Sequence, residues 1–218
     1  ALEYYQLKYD NDKLINDLKE LFSGTIKAIM EALDAKDSYT SGRSKRITYY
    51  SIIVAKQLGL STIDTGKVEL AGMLHDIGMI GVSDEILYKI DALSQEEYDE
   101  IKKHITYSVK ILEDIKQLKD VVEIIKYHHE KYDGTGYPYG VKGEDIPLGS
   151  RIIAVADAFD SIISNRIYRN KIELQDALNE IKKGALTQFD PVVVKAFEDS
   201  FDAISAAVSE SELSSYKD

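Results

Sequence analysis

The sequence contains no cysteine, no tryptophan and only three prolines among its 218 residues. The absence of cysteine excludes disulfide bonds and thiolate metal sites, and it fits a cytoplasmic setting. The scarcity of proline favours long helices, because proline interrupts a helix when it stands inside one. No run of about 18 apolar residues occurs, so the sequence predicts no membrane-spanning helix. The N-terminus has neither the basic start nor the apolar stretch of a secretory signal.

Positive charge is also scarce, since 27 lysines and arginines face 38 aspartates and glutamates and leave a net charge of −11. Binding to a nucleic-acid polymer needs a broad basic surface, so this balance argues against DNA or RNA as a partner. An acidic protein can still bind a small phosphate ligand when metal ions and a few local cations offset its field.

Apolar residues recur at helical spacing along almost the whole chain, and no stretch shows the alternation expected of a β-strand. We therefore expect an all-α helical bundle with a long N-terminal helix and a short turn ending at Leu87. The predicted helices cover residues 2–36, 43–58, 64–75, 94–112, 118–129, 148–165, 173–183 and 191–207.

The N-terminal helix carries an apolar stripe in residues 14–29. We expect residues 1–36 to form a stalk or linker that pairs with a second copy of itself, with an amphipathic surface helix as the alternative. Residues 37–208 would then form the main domain, and residues 209–218 a polar, frayed tail. Because the chain begins in a stalk, we expect it to be a fragment of a larger regulator with a receiver or sensory domain upstream.

The histidine pair His128-His129 stands at the end of an apolar helical pattern. Neighbouring helical residues point about 100° apart, but a turn at the helix end lets both rings converge on a metal ion. Gly134 and Gly136 are expected to end this helix and to let the backbone approach a ligand closely. A solvent-exposed histidine pair before a glycine turn is the alternative. The other two histidines are His75 and His104, on two further predicted helices.

Two aspartates extend this set. Asp76 follows His75 directly, and Asp157 stands in a strongly apolar helix, where an unpaired carboxylate would be very costly. A metal ion could pair with Asp157, as could an arginine such as Arg151 or Arg166. Imidazole and carboxylate ligands without thiolate favour iron, manganese or similar ions over a closed zinc site. A shared Asp76 could bridge two ions about 3.5–4 Å apart.

The chain resembles an HD-GYP domain, a branch of the HD phosphohydrolase superfamily. The resemblance covers nearly the whole chain, from residue 37 to 200, and its glycine-loop motif is long and specific. The matching motifs, in chain order, are His75-Asp76-Ile77-Gly78, His104, His128-His129-Glu130, Asp133-Gly134-Thr135-Gly136-Tyr137-Pro138, Ile146-Pro147-Leu148, Val155-Ala156-Asp157-Ala158-Phe159-Asp160, Arg166-Ile167-Tyr168-Arg169 and Phe189-Asp190-Pro191.

The resemblance implies a helical bundle of the HD phosphohydrolase type that hydrolyses the bacterial messenger cyclic di-GMP, or a related cyclic dinucleotide, to the linear dinucleotide or to GMP. It implies one or two divalent transition-metal ions and a catalytic role for Asp76. The implied metal ligands are His75, Asp76, His104, His128, His129 and Asp157. The implied substrate contacts are Arg166, Arg169, Gly136, Tyr137 and Pro138. The same glycine loop is the implied contact for a GGDEF-type or other signalling protein.

Two positions depart from the family pattern. Arg43 stands where the family usually has a histidine similar to a ligand of the first ion, and arginine cannot ligate because it keeps its proton. Met79 replaces a lysine that resembles a phosphate contact or a proton donor. By the resemblance, the first-ion site keeps His75, Asp76 and Asp157. The second-ion site keeps Asp76, His104, His128 and His129.

Three functions are then open. The first is a phosphodiesterase with reduced activity, and it is favoured because six of the seven expected ligands remain. The second is a degenerate domain that binds a cyclic dinucleotide, one metal ion or a protein partner and hydrolyses slowly or not at all. The third is a dimerisation module that uses the N-terminal helix alone, and it leaves the glycine loop unexplained. Arg43 and Met79 favour the second function, whereas the intact histidine pair favours the first.

Overall fold

We analysed a computed structural model of the chain, which describes residues 2–36, 42–164 and 173–215. These residues form α-helices joined by turns, without a β-strand among them, which confirms the predicted all-α fold. No helix in this part of the chain combines the length and the apolar composition needed to cross a membrane. The helices are α1 (Leu2–Lys36), α2 (Arg43–Gln57), α3 (Thr62–Leu74), α4 (Asp84–Leu87), α5 (Gln95–Lys102), α6 (His104–Leu112), α7 (Lys119–Lys126), α8 (Leu148–Ser164), α9 (Leu174–Lys183), α10 (Pro191–Asp199) and α11 (Phe201–Ser215), and a 3₁₀ turn spans Ile77–Gly81.

Two helices that the sequence predicts as continuous are broken. Residues 94–112 form α5 and α6, which meet at Lys103. The predicted capping box that starts α5 is present, because the Ser94 hydroxyl accepts from the N–H of Glu97 and the Glu97 carboxylate accepts from the N–H of Ser94. The last predicted helix forms α10 and α11, which meet at Ser200, and α11 continues to Ser215 into the segment expected to be a polar tail.

The core lies where α2, α3, α7 and α8 pack together. Phe159 of α8 is fully buried and packs edge-on against Tyr50 of α2 and Phe197 of α10, with ring centroids 5.6 and 5.0 Å apart. Burying one such side chain contributes about 1.5–3 kcal/mol. This core holds the four helices in fixed positions, and the same helices carry or precede most of the candidate site residues.

Helix α1 has two parts with different surroundings. Ile26 and Met30 are buried in the same core as the other helices. The Lys36 ammonium donates to the carbonyl oxygens of Ile80 and Val82, at 2.8 and 2.9 Å. Every side chain from residue 3 to residue 25 is instead exposed. The division of the chain at residue 36 stays a prediction, but the last third of α1 packs on the domain.

Gly78 allows the 3₁₀ turn to approach α6 closely. A Cβ atom on Gly78 would lie 1.9 Å from the carbonyl oxygen of His104 and 2.6 Å from the backbone nitrogen of Ser108. The N–H of Gly78 donates to the Ser108 hydroxyl at 2.8 Å, and that hydroxyl donates to the carbonyl of His75 at 3.2 Å. Only glycine fits this contact, which sets the position of His75 relative to His104.

We predict that Gly78→Ala lowers the free energy of unfolding by about 1–3 kcal/mol or more, because the added methyl group meets backbone atoms that cannot move aside cheaply. Urea denaturation measures this change. The matched control is Gly66→Ala in α3, where an added Cβ would meet nothing within 4 Å. Alanine at that helical position should raise the free energy of unfolding by roughly 0.5–1 kcal/mol. Equal effects of the two substitutions would contradict the assigned contact.

Candidate metal centre

Three of the four histidine rings are held in the same way. Each ring is buried, and its Nδ1 atom faces the backbone carbonyl oxygen of the residue three positions earlier, at 2.6–2.7 Å. The three rings are His75, His104 and His128. In a neutral imidazole this contact places the proton on Nδ1 and leaves a lone pair on Nε2.

The Nε2 atoms of His104 and His128 have no hydrogen-bond partner among the described residues. The Nε2 atom of His75 lies 3.2 Å from the Asp76 carboxylate, without the alignment of a hydrogen bond. A buried polar atom without a partner costs about 1–3 kcal/mol. Several such atoms at one point are what a bound metal ion would satisfy, so the donor set fits a metal ion.

Asp76, His104, His128 and His129 form a compact cluster. Each offers one ligand atom, and these atoms lie within 4.8 Å of one another. The Nε2 atom of His104 is 3.5 Å from Oδ1 of Asp76, and the rings of His128 and His129 are 4.1 Å apart between centroids. These four residues are the set that the sequence assigns to the second ion.

The histidine pair converges because α7 ends early. The helix ends at Lys126, so the prediction that it continues to residue 129 is wrong, and so is the prediction that Gly134 and Gly136 end it. His128 and His129 lie in the turn that follows, where the backbone no longer separates neighbouring side chains by a helical angle. The expected convergence of the two rings is found for this reason.

Glu130 and Gly136 organise the glycine loop. Glu130 is buried, and its Oε1 atom accepts hydrogen bonds from the N–H groups of Tyr139 and Gly140, at 2.7 and 3.2 Å. The loop folds back onto the turn that carries the histidine pair, and Gly136 lies at the point of contact. A Cβ atom on Gly136 would lie 2.2 Å from the backbone nitrogen of Lys131, so a larger residue would not fit there. The loop is thereby held against the cluster.

Tyr137 is the loop residue nearest to the cluster. Its N–H donates to the carbonyl of His129 at 3.3 Å, and its ring stacks on the His129 ring, with centroids 4.9 Å apart and an interplanar angle of 23°. Burial raises the pKa of the Tyr137 hydroxyl, which stays protonated. The substrate contacts assigned to Gly136, Tyr137 and Pro138 stay predictions, and the position of Tyr137 beside a candidate ligand is consistent with them.

Asp157, the expected ligand on α8, is paired with Arg43. The Nη2 atom of Arg43 lies 2.6 Å from Oδ1 of Asp157 and donates to the Ser161 hydroxyl at 2.7 Å. Its Nη1 atom lies 3.5 Å from the buried carboxylate of Asp160. Burial opposes the charge of Arg43, but these aspartates and Asp76 outweigh it and raise the pKa of the guanidinium. The cluster of four ligand atoms does not include Asp157.

Of the other arginines that the sequence singles out, the structure describes Arg151. Arg151 forms a buried ion pair with Asp190, so it is not the partner of Asp157. Arg166 and Arg169, the expected phosphate contacts, lie outside the described residues. Sequence reasoning missed Arg46, which binds Asp160 through two hydrogen bonds of 2.8 and 3.1 Å.

A signal for this missed contact is present in the sequence. Arg43 and Arg46 are three residues apart on α2, and Asp157 and Asp160 are three residues apart on α8. Residues at this spacing share one helical face. Two facing pairs of opposite charge would have predicted that α2 and α8 are neighbours.

Burial and the neighbouring charges set the protonation of the cluster. Burial lowers the pKa of His129 to about 4 and that of His128 well below its usual value. Burial would raise the pKa of Asp76, but the neighbouring histidines, His75 first, hold it well below its usual range. Neutral imidazoles and an ionised carboxylate are the forms that bind metal ions.

The pKa of His75 is raised, whereas the pKa values of His128 and His129 are lowered. Burial lowers its pKa, but the Asp76 carboxylate outweighs burial and raises the pKa to about 9. His75 would therefore have to release a proton to bind an ion.

The cluster opens into a cavity of about 380 Å³. Asp76, His104 and His129 line one part of its wall, and Arg43 and Lys36 are cationic groups in the rest. A volume of this order suits a small-molecule ligand. The combination of local cations with a candidate metal cluster suits a ligand that carries negative charge.

Comparison with known proteins places this helical domain in a family. A family model described as an HD domain matches residues 27–193. The chain is 39% identical over 166 residues to the 3′3′-cGAMP-specific phosphodiesterase 3 of Vibrio cholerae, covering 76% of this chain and 36% of that protein. It is 32% identical over 195 residues to a cyclic di-GMP phosphodiesterase of Thermotoga maritima, covering 88% of this chain and 53% of that protein. The chain belongs to the HD domain family, and its classification as an HD-GYP protein is supported.

Solved structures agree on the fold. A cyclic GMP-AMP-specific phosphodiesterase of V. cholerae matches with a TM-score of 0.63 at 21% identity, over 82% of this chain and 48% of that chain. An HDG"Y"P protein from Bdellovibrio bacteriovorus matches with a TM-score of 0.61 at 20% identity, over 82% of this chain and 60% of that chain. These likenesses confirm the HD-type helical fold. The chain spans only about a third to a half of the length of the two curated relatives.

We predict that replacing His128 and His129 together by alanine abolishes binding of divalent transition-metal ions, because it removes two of the four clustered ligands. Elemental analysis of the purified protein after manganese or iron loading measures the metal content. Lys131→Ala, at an exposed position in the same turn, is the control and should keep the metal content of the native chain. A double variant that is folded by circular dichroism and still carries its full metal content would show that the site lies elsewhere.

Proposed function

We propose that this chain is a metal-dependent phosphodiesterase domain that hydrolyses cyclic di-GMP, or a related cyclic dinucleotide, to the linear dinucleotide or to GMP. The observation that carries this proposal is the buried cluster of four candidate ligand atoms at the wall of a cavity of about 380 Å³. The relatives named as phosphodiesterases of cyclic di-GMP and of 3′3′-cGAMP support the same class of substrate.

The ion would be held by Asp76, His104, His128 and His129, with nitrogen and oxygen ligands that favour iron or manganese. It would supply a Lewis acid that activates water and neutralises charge on a phosphate group. The protein fixes the ring orientations through the Nδ1–carbonyl contacts, so the ligands need little rearrangement. Asp76 is the proposed catalytic carboxylate, because it is ionised and its side chain is 28% exposed, within reach of water in the cavity.

The cavity walls supply the contacts proposed for the dinucleotide. Lys36 offers positive charge to phosphate groups, whereas the guanidinium of Arg43 in the same wall is already paired with Asp157. Arg166 and Arg169 are the further phosphate contacts that the family resemblance implies. Tyr137 presents an aromatic ring beside His129, and aromatic rings in such positions stack on nucleobases. The remainder of the loop, Gly136 and Pro138, would shape this part of the wall.

We propose that hydrolysis is weak because the site holds one ion. By the family resemblance, His75 and Asp157 would be the further ligands of a first ion, but Asp157 is already paired with Arg43 at 2.6 Å. An ion at that position would have to displace a guanidinium that carries the same sign of charge. Met79 lines the cavity without any charge. Losing a positioned cation or donor commonly lowers the rate about 10²–10³-fold.

The alternative is a degenerate domain that binds a cyclic dinucleotide or a protein partner and does not hydrolyse, and the Arg43–Asp157 pair favours it too. Ligand binding without turnover would establish this alternative.

We further propose a cytoplasmic location, a homodimer contact in the stalk of residues 1–36, and a GGDEF-type or other signalling partner at the glycine loop of the domain at residues 37–208. These proposals rest on the sequence pattern and the family resemblance.

We predict that Arg43→His and Met79→Lys together raise the metal content from about one ion toward two and raise the turnover of cyclic di-GMP by about 10²-fold or more. The physical reason is that histidine frees Asp157 and adds a ligand, while lysine adds a cation. Elemental analysis and product chromatography measure the two quantities.

Arg46→His is the matched control, because Arg46 lies on the same helix but binds Asp160. It should leave the metal content at the native value. If the native chain already turns over as fast as the double variant, Arg43 and Met79 do not limit catalysis.

A further inference from the structure

The exposed part of α1 carries a second pattern that the candidate site does not use. A set of mostly apolar residues is spaced alternately three and four apart, which is the spacing of a coiled-coil seam, and the exposed Ile15 and Phe22 flank it at position e. The seam consists of Tyr4, Leu7, Asn11, Leu14, Leu18, Leu21, Thr25 and Ala28. Tyr4, Asn11, Leu18 and Thr25 fall at heptad position a, and Leu7, Leu14, Leu21 and Ala28 fall at position d.

This seam is uncovered in the single chain. Leu7, Leu14, Leu18 and Leu21 are exposed by 71, 56, 55 and 67%. Residues 3–25 alone would extend about 35 Å at the rise of an α-helix. A helix that buries no apolar face gains little stability from propensity. The row of exposed leucines therefore marks an interface.

The seam does not compete with the domain for the same face of α1. The residues that α1 buries against the domain are Ile26 and Met30, which fall at heptad positions b and f. Ile29 and Leu33, at positions e and b, are partly buried against the same core, so Ile29 is the one domain contact that borders the seam. The hydroxyl of Thr25 donates to the carbonyl of Leu21 at 2.8 Å, so this polar seam residue is satisfied within its own helix. A second helix can thus cover the seam while α1 stays docked on its own domain.

Of the two polar residues in the seam, Asn11 selects the orientation of the second helix. In a parallel pair, Asn11 faces Asn11 of the second copy, and the two amides can hydrogen-bond to each other. In an antiparallel pair centred on the seam, Asn11 would face Leu21 and be buried without a partner, which is costly. A parallel pair also places Glu3, at position g, beside Lys8 of the second copy, at position e.

We propose that residues 4–28 form a parallel, in-register, two-stranded coiled coil with a second copy of this chain. The proposal gives an orientation and a register to the homodimer proposed above, and it does not depend on catalysis. In this arrangement both domains lie at the C-terminal end of the coil. Lys36, at that end, binds the carbonyl groups of Ile80 and Val82 in the segment that follows Asp76.

The first test is sedimentation equilibrium of the full chain over a range of concentrations. The native chain should be a dimer, and Leu14→Glu should weaken the dimer roughly 100-fold or more, because it places a charge where two leucines are buried together. Tyr9→Glu is the matched control, since Tyr9 lies on the same helix with 66% exposure but at position f. It should leave the dissociation constant unchanged. A native monomer, a trimer, or equal effects of both variants would overturn the proposal.

The second test uses the absence of cysteine, which makes every introduced thiol unique. Under mild oxidation Leu7→Cys should form a disulfide-linked dimer, whereas Tyr9→Cys should not. An antiparallel pair would instead link Leu7→Cys with Thr25→Cys in a mixture of the two variants, and that result would overturn the parallel orientation.

The metal content of Leu14→Glu separates this proposal from the proposed function. It should equal that of the native chain, because the clustered ligands lie at residues 76–129. A native chain that is a monomer but binds metal would overturn the coiled coil alone. A native dimer that binds no metal would overturn the proposed function alone.

Discussion

Three buried imidazoles constrain the rest of the structure. They come from the ends of α3 and α7 and from the start of α6. His75, His104 and His128 each use Nδ1 to bind a backbone carbonyl, and this orients the other ring nitrogen toward Asp76. The Nε2 nitrogens of His104 and His128, buried without a hydrogen-bond partner among the described residues, carry a free-energy cost when no ion is bound. An ion that binds only the folded state would offset this cost and stabilise the fold by mass action. Stability and ligand geometry are therefore linked at this site.

The charges between α2 and α8 are the basis of the proposal that the chain binds one ion and not two. Two guanidinium groups, of Arg43 and Arg46, face two carboxylates, of Asp157 and Asp160. This interface is neutral without any ion. Asp76 lines the same cavity, and its carboxylate adjoins His75 and the neutral imidazoles of His128 and His129. His75 beside Asp76 can release its proton when a cation binds, whereas the guanidinium paired with Asp157 cannot, so a cation binds more readily at the four-residue cluster than at Asp157.

Local patterns in the sequence predicted the helices and the convergence of the histidine pair. The breaks at Lys103 and Ser200 were missed because neither glycine nor proline marks them. The Gly78–Ser108 and Arg46–Asp160 contacts join residues 30 and 114 positions apart, which periodicity within one helix does not report. The sequence offered Arg151 or Arg166 as partners of Asp157, and only the packing of α2 on α8 selects Arg43.

Helix α1 meets the candidate site through hydrogen bonds as well as apolar packing. The ammonium of Lys36 binds two carbonyl oxygens, at Ile80 and Val82, and these follow Asp76 within a few residues. Tyr88 also donates its hydroxyl to the carbonyl of Lys36. A rotation of α1 about its axis would have to break these contacts or carry the turn with it. Because Gly78 fits tightly against α6, the turn cannot move far without displacing Asp76 relative to His104. The C-terminal end of α1 is thus joined by hydrogen bonds to the segment that follows Asp76.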